Sequence, residues 1–322
     1  MRRGSIQWLV AGAGFALAAC GGGGSSRPTG PNLAPTTSTQ TGLPAGTVLG
    51  VSSAETGQAI EGASLVVGGR TYVSDATGAV ALEEGVVPGS PLEVRSPGSL
   101  DRDTLLRSAS LAHFSLWPRS SPTGVDEGYT RLLVYTWDDD STPGSSPLYR
   151  PGGSQVALVP SAELQADPEA MAAHHRAADA VNAASGGGVH YVVASSAPPG
   201  AIGVATSLDA KDEGCEDRVL AFTSIRLRNG EISSARIVFC EAAATRDGTV
   251  THEAGHTFGM GHSPDASEVM HAFKLRRQAE DFGARESLVM RLMLQRRGGN
   301  RFPDNDRTVT AAASGEVKIV CR

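Results

Sequence analysis

Hydrophobic and polar positions follow two different patterns along the chain. Between residues 46 and 98, short β-prone runs at 48–51, 63–67 and 92–94 are separated by turn residues such as those at 75–78. Short runs divided by tight turns are typical of a small all-β domain built from hairpins. The pattern therefore predicts a small all-β domain over residues 46–115.

From residue 151 the pattern changes to strands that alternate with helices. The segment "ADPEAMAAHHRAADAVNAASGGG" predicts a helix with Asp167 as N-cap, Pro168 at the first helical position and glycines after its end. Its adjacent His174 and His175 lie about 100° apart around a helix, so they are not a ligand pair and are expected at the surface or its boundary. The segment 217–240 predicts two strands joined by a tight turn.

The segments that flank this region carry weaker signals. Residues 116–150 are interpreted as a connecting segment, in which 130–137 predicts a strand that runs into Asp138, Asp139 and Asp140. These aspartates and the acidic loop 209–217 are candidates for structural Ca²⁺, the alternative being solvated turns. Residues 301–322 are left as a C-terminal tail without assigned structure.

Composition narrows the range of functions. The chain has 322 residues and a net charge of −6, and its basic residues do not form long runs, which argues against a nucleic-acid partner. Besides Cys20 there are three cysteines, which allow three single pairings. We favour a disulfide between Cys215 and Cys240, which flank the strands before the histidine-rich segment, and interpret Cys321 as a strand residue, not a ligand.

The first residues indicate export. Arg2 and Arg3 precede an apolar run, residues 6–19, that is shorter than the roughly 20 residues of a membrane-spanning helix, so 1–19 is predicted to be a signal peptide. Its end, "LAAC", resembles the lipobox of bacterial lipoproteins, which implies lipidation at Cys20 and a membrane partner through that lipid. The Gly-, Ser- and Pro-rich residues 20–45 would be a flexible tether. The protein is thus expected on the bacterial cell envelope, at the outer membrane or cell surface.

The segment "TGQAIEGASLVVGGRTYVSDATGAVAL" has the order of turns and short strands found in the carboxypeptidase regulatory-like β-sandwich, and it resembles that family over about fifty residues. The resemblance implies an accessory module that carries no chemistry of its own.

The segment "THEAGHTFGMGHSPDASEVMH" carries the candidate chemistry. His252 and His256 are four residues apart, so both imidazoles can reach one point beside a helix. Gly259 lies where the helix must end, and a reversal there can bring His262 to the same point. Three imidazoles leave one open position on a tetrahedral Zn²⁺, which is typical of a catalytic site. Glu253 is then the candidate base that activates a water at the zinc.

The full motif, H-E-x-x-H-x-x-G-x-x-H, with Met270 eight residues after His262, resembles the metzincin zinc endopeptidases, and within them the matrixins. The resemblance implies a zinc-dependent metalloendopeptidase in which Met270 lies beneath the metal as the Met-turn residue. The family usually continues Met-Tyr-Pro, whereas this chain has Met270-His271-Ala272, so the specificity pocket is not predicted by analogy. The N-terminal half has no "PRCG"-type cysteine switch, so that mode of latency is not predicted.

These observations predict two domains, a small all-β sandwich (46–115) followed by an α+β zincin-type catalytic domain (151–300) with a twisted mixed sheet and three helices. A protein or peptide substrate is expected to bind along an edge strand within 219–227. The alternative is a catalytically inactive surface lipoprotein that binds a protein or glycan ligand.

Overall fold

The computed structural model describes residues 43, 46–83, 85–106, 113–137, 142–215, 219–273, 280–307 and 314–321. The signal peptide, Cys20 and most of the tether lie outside the described residues. All of the described residues belong to one compact unit, Gln40–Arg322. None of its described helices has the length and apolar character that a membrane span requires.

Seven short strands build the first part of this unit: β1 (Val48–Ser53), β2 (Ser64–Val67), β3 (Arg70–Val73), β4 (Ala79–Ala81), β5 (Pro91–Arg95), β6 (Arg102–Leu105) and β7 (His113–Leu116). They form two sheets with the orders β4-β1-β7 and β3-β2-β5-β6. Alternate residues such as Leu49, Val51, Leu65 and Val67 are buried in one core shared by both sheets. This period-2 burial is what a two-sheet layer requires.

The second part contains helices and one large sheet. Its helices are α1 (Glu127–Tyr135), α2 (Ala162–Gln165), α3 (Pro168–Ser185), α4 (Thr249–Phe258) and α5 (Ala284–Leu294). Its strands are β8 (Gln155–Pro160), β9 (His190–Val193), β10 (Ile202–Leu208), β11 (Ala221–Arg228), β12 (Glu231–Phe239) and β13 (Gly315–Cys321). A short 3₁₀ helix, Ala242–Thr245, precedes α4.

The six-stranded sheet is mixed, with the order β13-β11-β12-β10-β8-β9. Strands β9, β8, β10 and β12 are parallel, while β11 is antiparallel to both of its neighbours, β12 and β13. Helix α3 packs against α4 and α5, and it also contacts β8 and β9. A mixed sheet with packed helices is observed, and its assignment to the zincin fold stays a prediction.

Local signals predicted two of these elements well. Helix α3 begins at Pro168, and the carboxylate of Asp167 accepts the amides of Glu169 and Ala170. The turn between β11 and β12 is formed by Asn229 and Gly230, which both have positive φ. Both elements are specified by residues close in sequence, which is why they could be read from it.

The strand predicted over 130–137 is wrong, because residues 130–135 belong to helix α1, which ends at Tyr135. Asp126 caps the helix by accepting the amide of Tyr129 at 2.7 Å. Tyr129, Leu133 and Val134 recur at helical spacing and are buried in the core of the second part. The β-branched and aromatic residues suggested a strand, but burial of this helical stripe decided the conformation.

The placement of His174 at the surface or its boundary is also wrong. Its side chain is 0% exposed, with Nδ1 2.7 Å from the Ala170 carbonyl oxygen and Nε2 2.9 Å from Oγ1 of Thr206 on β10. Burial lowers its pKa, which favours a neutral imidazole at the helix–sheet contact. It is a core histidine.

Candidate metal centre

Helix α4 carries the first two candidate ligands and is buried along its whole length. Its first amide, that of Thr249, donates to Oδ1 of Asp247 at 2.8 Å, so the aspartate satisfies one of the free amides at the helix start. Gly248 is the capping residue and has no side chain that could accept a hydrogen bond, so Asp247 before it supplies the acceptor.

Gly259 ends the helix in the left-handed region, with φ 108°. An added Cβ there would lie 2.1 Å from the carbonyl oxygen of Tyr149, so this position has no room for a side chain. Its own carbonyl accepts the indole N–H of Trp137 at 3.0 Å. Conformation and close packing together require glycine at the turn that leads to His262.

The turn brings three imidazoles together. Nε2 of His252 and Nε2 of His256 are 3.0 Å apart, and the ring of His262 lies 5.5 Å and 4.9 Å from those two rings, centroid to centroid. His252 and His256 are buried, and His262 is half-buried. The three predicted ligands therefore converge on one point.

Backbone carbonyls orient two of the rings. Nδ1 of His252 lies 2.6 Å from the carbonyl oxygen of Val269, and Nδ1 of His256 lies 2.8 Å from that of Met260. Each Nδ1 is thus the protonated nitrogen, which leaves the Nε2 lone pair for a metal. Burial and the neighbouring histidines hold the pKa of His256 well below its usual range, so the ring is in the neutral form that ligation needs.

A fourth donor was missed by sequence reasoning. Sγ of Cys321 lies 3.1 Å from Nε2 of His252, 3.3 Å from that of His256 and 3.7 Å from that of His262. Cys321 is a strand residue, as predicted, at the end of β13, but its thiol lies among the predicted ligands, contrary to the expectation that it is not one of them. The only sequence signal was an unpaired cysteine in an apolar strand, and its partner residues are more than fifty positions away.

These four donors fit a tetrahedral metal ion. Zinc bonds of about 2.0–2.1 Å to nitrogen and about 2.3 Å to sulfur imply donor–donor separations of about 3.3–3.6 Å. The distances from Sγ to the three Nε2 atoms are 3.1, 3.3 and 3.7 Å, and Nε2 of His252 lies 3.0 Å from Nε2 of His256. These separations lie close to that range, on both sides of it. Within the described part of the chain, this is the one cluster of three or more His, Cys, Asp or Glu residues whose donor atoms could hold a metal.

Glu253 lies beside the fourth donor. Its carboxylate is 0% exposed, and Oε2 accepts a hydrogen bond from Oγ1 of Thr223 on β11. Oε1 is buried without a hydrogen-bond partner among the described residues. Burial raises the pKa of Glu253 to about 7, while Thr223 and the thiol of Cys321 lower it. A carboxylate with one unused oxygen is thus held next to the position that the thiol occupies.

Met270 lies directly beneath the ligand helix. Its side chain is fully buried, and a Cβ added to Gly255 of α4 would come within 2.3 Å of its sulfur. The Met270 amide donates to Oε1 of Glu286 at 2.8 Å, and its carbonyl accepts the amide of Ser263 at 2.7 Å. Both backbone groups of Met270 are therefore held by hydrogen bonds, and its side chain packs against the ligand helix at Gly255.

The remaining candidates are not among the donors that the described residues bring together. His271 is half-buried, and its Nδ1 interacts with the backbone of Phe273. Asp138, Asp139 and Asp140 lie outside the described residues, and so does part of the acidic loop 209–217. In the described part of that loop, Asp212 pairs with Arg236 and accepts the amide of Gly214, and it belongs to no metal-binding cluster.

Cys215 and Cys240 form a disulfide with a Cα–Cα distance of 5.4 Å. It joins the loop before β11 to the end of β12 and packs with Val219, Phe222 and Val238 in a small separate core. Among the described cysteines Cys321 is free of disulfides, which leaves its thiol available at the metal centre.

No protein-family model matches this chain, and no curated protein matches it.

Proposed function

We propose that the protein is a zinc metalloendopeptidase of the metzincin type. The observation that carries the proposal is the position of Glu253, a buried carboxylate with one unpaired oxygen beside the fourth position of a three-histidine cluster. A metal site that serves only stability does not need a costly buried acid next to its ligands. A general base does need that position.

The residues suit hydrolysis of a peptide bond. Zinc held by His252, His256 and His262 would lower the pKa of water from about 15.7 to about 7 and polarise the scissile carbonyl. Glu253 would accept the proton of the attacking water on Oε1 and return it to the leaving amine. Thr223 keeps Oε2 occupied, so Oε1 is the oxygen left for this transfer.

The substrate is proposed to bind as an extended strand along β11, where main-chain hydrogen bonds give affinity without regard to sequence. The expectation that this strand is a free edge is wrong, because β13 pairs with it over its length, from Leu227–Gly315 to Ala221–Cys321. Binding of a substrate along β11 therefore requires β13 to leave.

The second candidate is a catalytically inactive envelope protein whose metal is structural. It is favoured by one observation, the thiol of Cys321, because structural zinc sites are closed by four protein ligands whereas catalytic ones keep a position open. The two candidates differ in what Glu253 does, since a structural site works equally well with an amide there.

We also propose that the protein is exported and lipid-anchored through Cys20, with the β-sandwich as an accessory module. The disulfide between Cys215 and Cys240 supports export, because such bonds persist in oxidising compartments. Metabolic labelling with a fatty-acid analogue should label the wild type and leave Cys20→Ala unlabelled. Equal labelling would contradict the anchor.

The activity is tested by comparing Glu253→Gln and His256→Ala, each in the wild-type and the Cys321→Ser backgrounds. Casein hydrolysis and zinc content are measured on the same samples. We expect Glu253→Gln to retain zinc and to lose hydrolysis by about 10²-fold or more, the usual contribution of a general base. His256→Ala should lose both. Retained hydrolysis in Glu253→Gln would overturn the mechanism.

A further inference from the structure

The last described strand, β13, occupies both the metal centre and the face of β11 on which a substrate would add. We propose that Gly315–Cys321 is a built-in inhibitory strand, with the thiolate of Cys321 as the fourth metal ligand, so that the folded protein is latent until β13 is displaced. This inference rests on the proposed function, because it names the regulation of the same site.

The backbone of β13 takes the place of a bound peptide. It pairs antiparallel with β11 without a register shift, from Gly315 opposite Leu227 to Cys321 opposite Ala221. The amide of Leu220 extends the pairing by donating to the carbonyl of Cys321 at 3.0 Å. The hydrogen-bonding groups on this side of β11 are thus used, and an extended substrate cannot add there at the same time.

The side chains of β13 fill the site as well. Residues two apart lie on the same face of a strand, so Val317, Ile319 and Cys321 face the same way. Ile319 is 3% exposed and belongs to the core around α4, and it lies opposite Thr223, the residue that holds Glu253. The strand therefore closes the space above the catalytic residues as well as the backbone edge.

The thiol completes the closure at the metal. Cys321 is 4% exposed, and its sulfur is within 3.7 Å of all three Nε2 atoms. Because the thiol and the metal site belong to one chain, their effective concentration is high, and water competes poorly for the fourth position. With the thiolate in the fourth position, Glu253 would have no metal-bound water to activate.

The opposite face of β13 has contacts that can be broken. The ammonium of Lys318 lies 4.0 Å from the ring centroid of Phe222, and Val320 packs on the small core that contains the disulfide. Glu316 and Arg226 form an exposed ion pair, of a kind that contributes little. Release needs no redox step, since the thiolate leaves the metal and takes a proton while water enters its place.

Metal ligation is tested first, with a readout that does not depend on activity. The zinc of the full-length protein is replaced by Co²⁺, and the near-ultraviolet thiolate-to-cobalt charge-transfer absorption is recorded. We expect the band in the wild type and in Glu316→Gln, a control at the far end of β13, and its loss in Cys321→Ser with cobalt still bound. A wild type without the band would overturn the inference, whatever its activity.

Latency is tested with two variants of the full chain. Cys321→Ser frees the fourth metal position. Ile319→Asp/Cys321→Ser should also displace β13, because a paired β13 would bury the unpaired charge of the aspartate. Hydrolysis of casein should rise at least tenfold from the wild type to the double variant, with Cys321→Ser between them. Glu61→Gln, at an exposed position outside β13, should stay at the wild-type level. Zinc content and circular dichroism identify a variant that has failed to fold.

If the double variant folds poorly, inhibition by a peptide added in trans tests the same role of β13. The peptide GEVKIVCR, the sequence of residues 315–322, should inhibit Cys321→Ser at least tenfold more strongly than the same peptide with serine for cysteine. If the wild type is as active as the variants and the peptide does not inhibit it, the inhibitory role of β13 is wrong, whereas the proposed protease activity stands. Inactivity of every variant with the cobalt band present would mean that the proposed function itself has failed, and the inhibitory role with it.

Discussion

Thr223 on β11 donates a hydrogen bond to Oε2 of Glu253 on α4, and both side chains are fully buried. The bond joins the strand expected to hold substrate to the residue expected to move the proton. It occupies Oε2, leaves Oε1 without a hydrogen bond, and restrains the rotation of the carboxylate. Thr223 is thus a positioning residue for the proposed base.

Thr223→Val keeps the shape of the side chain and removes the donor. Because a hydrogen bond to a charged group contributes about 1.5–3 kcal/mol, we expect kcat in the Cys321→Ser background to fall by about 10- to 100-fold. Zinc content and KM should change little, and Thr223→Ser should restore most of the rate. A fall in zinc content that parallels the fall in rate would show that Thr223 is structural instead.

Gly255→Ala tests the packing of the Met270 side chain under the ligand helix. An alanine Cβ would lie 2.3 Å from the Met270 sulfur, so overpacking should cost about 1–3 kcal/mol of unfolding free energy although alanine favours helices. Met270→Ala makes room, so the double variant should be less destabilised than the sum of the single variants, as measured by chemical denaturation. Strict additivity would contradict this contact.

The buried carboxyl of Glu286 should make the unfolding free energy of the protein depend on pH. Burial raises its pKa to about 7, although the amides of Gly283 and Met270 lower it. The folded protein therefore holds the proton more tightly than the unfolded chain, whose value is near 4.5. Its stabilising contribution is full below pH 4.5 and is lost as the pH rises through 7.

Glu286→Gln removes this titration. Between about pH 4.5 and pH 8 the advantage of the wild type over the variant in unfolding free energy should shrink by an amount on the order of 3 kcal/mol. Denaturation curves at several pH values and one fixed free-zinc concentration measure the difference. A gap that stays constant with pH would rule out Glu286 as the titrating group.

Arg296 and Asp304 form an ion pair in which both side chains are 0% exposed. Arg296 also donates to the carbonyl oxygen of Ser115 on β7, so this pair links the first part of the unit to the second. Arg296→Met should destabilise the protein by about 3–5 kcal/mol, because it leaves a buried carboxylate unpaired. Replacing both residues by apolar ones should recover much of that loss in thermal or chemical unfolding.

Much of the candidate site could be predicted because its determinants are local. The spacing of His252 and His256 acts within one helical turn, and Gly259 alone provides the left-handed turn that returns the chain to His262. Helix α3 and the turn at Asn229 were predicted for the same reason. In each case a few neighbouring residues set the backbone conformation, whatever the rest of the fold does.

Tertiary structure decided what depends on distant neighbours. The helical conformation of α1 and the burial of His174 follow from the core that each of them joins. Above all, Cys321 reaches the histidines only because β13 pairs with β11, and nothing near residue 321 encodes that register. The sequence by itself determined a three-histidine motif with a glutamate, and the long-range pairing of one strand decided what stands at its fourth position.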